Sequence, residues 1–76
     1  MTKRIKEAIT ELQNQSTTAP PKTAGAMVST IIHTLEQHKV ELLHYSIRVS
    51  AAPGLYVVQL YDIRKANALW IGAVVR

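Results

Sequence analysis

The chain's three histidines, His33, His38 and His44, and its five carboxylates are the first candidates for ligating a metal or moving a proton, with Ser46 beside His44 as a candidate nucleophile. His33 and His38 are five apart, about 140° round a helix, and His44 falls on an expected strand. No two histidines therefore take the i, i+4 geometry of a helical zinc pair. The absence of cysteine excludes disulfides and thiolate metal sites. Glu7, Glu11, Glu36 and Glu41 are placed like solvated helix or strand-end residues. Asp62, beside a turn and Arg64, reads as a turn acceptor or a local ion pair, so no carboxylates converge for acid–base work. His44, Ser46 and Arg48 share one face of a strand, but side chains two apart there are roughly 7 Å apart, and no acid is placed to orient the imidazole. Gly25, Gly54 and Gly72 stand alone and make no phosphate loop. The expectation is a protein that binds rather than catalyses, with no metal and no cofactor.

What would bind is set by Val40–Arg76, which reads as three strands: Val40–Ser50, Leu55–Ile63 and Ala68–Val75. They are dense in Tyr, Val, Ile and Trp, which fit a pleated surface. Ala51-Ala52-Pro53-Gly54, with the Pro-Gly pattern of a type II turn, joins the first two. A four-residue loop there sets Ile47 opposite Val58 and His44 opposite Tyr61. Arg64-Lys65-Ala66-Asn67 joins the next pair, with Asn67 as the left-handed residue, and sets Tyr61 opposite Trp70 and Gln59 opposite Gly72.

Alternation then sorts the sheet into two faces. Leu43, Tyr45, Ile47, Val49, Tyr56 and Val58 lie on an apolar core face, continued by Leu60, Leu69, Ile71, Ala73 and Val75. His44, Arg48, Gln59, Tyr61, Trp70, Gly72, Val74 and Arg76 lie on a mixed face, too polar for a core and too apolar for plain solvent. Clustered aromatic and arginine side chains with few acids are the composition of a binding hot spot. Gly72, between Trp70 and Val74, marks the close approach of something large, most simply the ring of Tyr61 or Trp70.

The upstream residues supply the cover. Ile5, Ala8, Ile9 and Leu12 form one helical stripe over residues 2 to about 13, with Thr2 as a candidate N-cap. Residues 14–23 (NQSTTAPPKT) are a polar connector interrupted by a Pro-Pro pair. A second helix runs from Thr23 or a neighbour to about His38, its stripe made by Met27, Val28, Ile31, Ile32 and Leu35. The fold class expected is α+β in one small domain, two N-terminal helices packed on one face of a three-stranded antiparallel β-meander.

Seventy-six residues lie near the size where one core only just offsets chain entropy, so self-association is expected. No run of about 18 apolar residues is present, so no membrane span is expected. The start MTKRIKEAITEL lacks the apolar centre of a secretory signal, and the location expected is cytoplasmic. The partner expected is a second copy of the chain or another protein, bound through the face around Tyr61 and Trp70. Nine Lys and Arg against five acids give a net charge of +4. The alternative this admits is nucleic acid, with bases stacked on the aromatics and Lys3, Arg4, Lys6, Arg64 and Lys65 as candidate phosphate contacts.

Overall fold

The computed structural model describes residues 2–76, without the side chain of Thr2, so the capping role expected of that residue lies outside it. Two helices are followed by a three-stranded antiparallel sheet, the α-α-β-β-β order expected: α1 Thr2–Thr18, α2 Ala24–Gln37, β1 Tyr45–Ala52, β2 Leu55–Asp62 and β3 Asn67–Val75. The sheet order is β1-β2-β3, so β1 and β3 are both edges.

Helix α1 is one and a half turns longer than its apolar stripe. In that extension Thr17 and Thr18 turn their hydroxyls back onto the carbonyls of Gln13 and Asn14, and Gln15 Nε2 donates to Glu11 Oε2. Local bonds of this kind let a polar segment remain helical with little burial. Pro20 then ends it, and the connector shrinks to residues 19–23. Helix α2 begins where expected: Thr23 is extended and its Oγ1 accepts from Ala26 N at 3.0 Å. Its buried face is Met27, Ile31, Thr34 and Leu35, so the stripe is rotated from the expected one and Ile32 is left exposed.

The end of α2 is a Schellman motif in which Lys39 N donates to Glu36 O and Val40 N to Leu35 O. Lys39 occupies the left-handed position, with φ of 59°. A lysine there is strained where glycine is not. Lys39→Gly should therefore raise stability by about 0.5–1 kcal/mol, read as a higher urea midpoint at an unchanged slope. A lower midpoint would remove this reading of the cap.

Val40 thus closes a helix instead of opening a strand. Residues 42–44 form a short 3-10 turn, and β1 begins at Tyr45. Leu43, expected in the core, is 83% exposed. The β1–β2 loop is only Pro53-Gly54, with Gly54 at φ 76°, so Ile47 faces Leu60 and Tyr61 faces Ser46. This is a shift of two residues from the expected register. Because side chains alternate with period two, the face assignment of both strands survives it.

Strand β3 does not survive so well. It pairs with Leu60 opposite Trp70 and Val58 opposite Gly72, one residue away from expectation, and the register breaks between Leu60 and Tyr61, where Leu69 is the extra residue of a bulge. Beyond the bulge the one-residue change turns the side chains of Trp70 to Val75 over, while Leu69 still packs against the core as expected. Trp70 and Val74 face the helices, 7% and 5% exposed, whereas Ile71 and Val75 point outward at 59% and 77%. The left-handed residue of the β2–β3 turn is Ala66, with φ of 56°, and not Asn67.

The core is a single layer between helices and sheet, formed by Ile5, Ala8 and Leu12 of α1, Met27, Ile31 and Leu35 of α2, and Val58, Leu60, Trp70 and Val74 of the sheet. Trp70 lies over Gly72, as the isolated glycine suggested. A Cβ at that position would stand 2.8 Å from Trp70 Cζ3 and 2.9 Å from Met27 Sδ. The far end of the helix-side face escapes cover, and Val49 and Tyr56, expected in the core, are partly exposed.

Candidate interaction site

Asp62 is buried, and its Oδ1 accepts from Arg64 N at 2.9 Å and Lys65 N at 3.1 Å. It is the turn acceptor that its position suggested. His38 is also committed locally, its Nε2 lying 2.9 Å from Glu11 Oε1 and joining the C-terminal end of α2 to α1. Glu11 had the look of a solvated helix residue. Only the antiparallel packing of two helices brings His38 to it, and no periodicity in the sequence marks such a pair. His44 closes the 3-10 turn, and its ring stands edge-on to Tyr45 at 6.5 Å. Among the described residues no three His, Asp or Glu side chains converge to hold a metal ion.

The outer sheet face carries no helix. By the observed pairing its rows run Ser46, Tyr61, Ala68; then Arg48, Gln59, Ile71; then Ser50, Val57, Ala73; and last Ala52, Leu55, Val75. No acid occurs among them. Arg48 and Tyr61 are diagonal neighbours, and the guanidinium carbon stands over the tyrosine ring, 3.7 Å from its centroid. At a partly exposed site such stacking contributes about 0.5–1 kcal/mol and holds both side chains in place.

Of the residues expected to share this face, Arg48, Gln59 and Tyr61 do so. The row of His44, Tyr61 and Trp70 does not form: Trp70, Gly72 and Val74 belong to the helix-covered face, because the bulge at Leu69 adds one residue. Ile71, Ala73 and Val75 take their places. Arg76, at the end of β3, stays exposed, its guanidinium carbon 5.2 Å from the Tyr56 ring and its Nη1 donating to Ala52 O at 3.4 Å.

No family model, curated protein or solved structure matches this chain. The surface must be read from its own chemistry.

The direction of the backbone groups on β3 follows from two facts. Arg76 N donates to Gly54 O, and hydrogen-bonded pairs alternate along an antiparallel ladder. Val74–Tyr56, Gly72–Val58 and Trp70–Leu60 are then the bonded pairs. The N–H and C=O groups of Ile71, Ala73 and Val75 point away from β2, toward the open edge. From Asn67 to Val75 this edge has no charge and no proline, whereas β1 carries Arg48 at mid-strand. Charges and prolines are the usual guards against edge pairing.

Four of the five candidate phosphate contacts, Arg4, Lys6, Arg64 and Lys65, come together at one end of the molecule. Lys3 does not line that end and lies beside Lys6, Glu7 and Thr10 on the exposed side of α1. Arg4 is partly engaged, its Nη1 donating to Lys39 O at 3.3 Å. No helix among the described residues is long and apolar enough to cross a membrane.

Proposed function

We propose that the chain is a non-catalytic interaction module that associates with a second copy through the edge of β3 and offers the outer sheet face around Arg48, Gln59 and Tyr61 to a protein partner. The observation that carries this reading is the uncharged β3 edge, whose outward backbone groups at Ile71, Ala73 and Val75 coincide with outward apolar side chains.

An antiparallel pairing about a two-fold axis at Ala73 sets Ile71 opposite Val75 of the second copy and Ala73 opposite itself. Every outward N–H and C=O of these three residues then finds a partner. Arg76 falls opposite Trp70 of the second copy and not opposite another arginine, so no like charges face each other. β-branched cross-strand pairs of this kind are favourable, and the two sheets become one of six strands.

Ala73→Pro tests the pairing, since the amide it removes makes no bond within the chain. The expected result is a dimer for the parent protein, insensitive to salt in sedimentation equilibrium, and a monomer for the variant with unchanged circular dichroism. In a chain without cysteine, Ala73→Cys should also give a disulfide-linked dimer on mild oxidation. A parent protein that stays monomeric, or a folded Ala73→Pro variant that stays dimeric, overturns the edge pairing.

A second reading is favoured by Arg48 stacked on Tyr61 and by the lack of acids on the outer face: binding of single-stranded nucleic acid. Affinity for an oligonucleotide that falls steeply with added salt and is lost in Tyr61→Ala would support it.

A further inference from the structure

A cavity of about 200 Å³ opens at the end of the molecule where the first turns of α1, the loop after α2 and the β2–β3 turn meet. Its floor is apolar, with Ile5, Ile9, Val40 and Leu69. Its rim is basic, with Arg4, Lys6, Lys39, Arg64 and Lys65. These are five of the chain's nine lysines and arginines, drawn from three separate segments. Two acids also line the cavity, Glu41 and Asp62, but Asp62 is buried and its Oδ1 is occupied by the backbone amides of Arg64 and Lys65. Among the described residues the only ion pair is His38 with Glu11. Five cations against two carboxylates leave the lining net positive, and none of the five is in direct ion-pair contact with a carboxylate.

Like charges gathered round one opening repel, and the positive end of the α1 dipole adds to the same sign. An anion seated among them relieves that repulsion. The apolar floor asks for something more than an inorganic ion. A cavity of about 150 Å³ is enough for benzene, so this one admits a single ring and little else.

We propose that the cavity binds a small organic phosphate monoester, with the phosphate at the basic rim and the organic group on the apolar floor. A dianion matches several cations better than a carboxylate does. Arg64 offers a planar fork of donors, and Lys6 and Lys65 act as point charges. The hydrogen bond from Arg4 to the Lys39 carbonyl fixes one guanidinium at the rim before any ligand arrives. This site shares no residue with the pairing of Ile71, Ala73 and Val75 across the β3 edge, and stands or falls independently of it.

Calorimetric titration of the full chain with phenyl phosphate, inorganic phosphate and phenol tests the proposal. Phenyl phosphate should bind saturably with one site per chain, at least about tenfold more tightly than inorganic phosphate, because only the ester buries a ring. Phenol, without the charge, should show no saturable binding. The double variant Arg64→Gln and Lys65→Gln changes two exposed side chains and keeps the amides that bind Asp62. It should weaken phenyl phosphate about tenfold or more. Ile9→Phe should fill the floor and bring phenyl phosphate down to the affinity of inorganic phosphate. Absence of saturable binding overturns the site, as does equal affinity for the two phosphates, which would mean counter-ion condensation on a basic surface. So does an unchanged affinity in the double variant, a result that holds whether or not Ile9→Phe folds.

Discussion

Trp70→Ala should cost about 3–5 kcal/mol of stability, enough to leave a domain of this size largely unfolded or with a sharply lowered urea midpoint by circular dichroism. The indole is 7% exposed and seated over Gly72 against Met27. The same substitution at Tyr61, on the outer face, removes only an exposed stacking contact with Arg48 and should cost about 1 kcal/mol or less. The two variants separate the faces of the sheet. A Trp70→Ala protein that unfolds with the parent's midpoint would return this residue to the outer surface and undo the observed β3 register. Trp70 is also the chain's one tryptophan, so the parent's emission should be blue-shifted when folded and move to the red on unfolding.

Ile31→Asp should be as damaging by a different route. Ile31 has no exposure and stands at the middle of the buried face of α2, in the core formed with the sheet. Aspartate there loses the apolar burial and puts a carboxyl group among neighbours that cannot hydrogen-bond to it, at a cost of several kcal/mol, roughly. Loss of the cooperative unfolding transition is expected. An Ile31→Asp variant that melts like the parent would contradict the two-layer packing of helices on sheet.

The parts of this structure legible in the sequence are those fixed by period. The 3.6-residue stripe of Ile5, Ala8 and Leu12, and that of Met27, Ile31 and Leu35, located both helices and their inward faces. The faces of β1 and β2 were also legible, since taking four loop residues where two exist displaces the register by an even number. β3 was not. Its two rows, Trp70, Gly72, Val74 and Ile71, Ala73, Val75, are both apolar, so nothing in their composition says which one faces inward. The bulge at Leu69 decides, and it leaves no local signature.

The candidate interaction face was accordingly half legible. Arg48, Gln59 and Tyr61 lie on strands whose alternation survives a two-residue shift, and Trp70 and Val74 lie on the strand that the bulge turns over. The basic cavity shows a different gap. Arg64 and Lys65 drew attention by charge alone, but Lys39 reaches the same rim only because the Schellman turn after α2 ends beside the first turn of α1.

The bulge at Leu69 also bears on how the chain finds its native pairing. With two apolar rows on β3, a hairpin joined one residue out of step would still bury a plausible surface against the helices, and such a mispaired state competes during folding. What penalises it is the loss of the Trp70 indole from the core, since Ile71, Ala73 and Val75 would turn inward in its place. Trp70 and Gly72, two apart on one strand, share a face in either register, but only in the native one do they meet Met27 of α2. The indole that fills the core therefore also selects the strand alignment, and a side chain at position 72, by displacing that ring or the Met27 thioether, would weaken the selection as well as the fit.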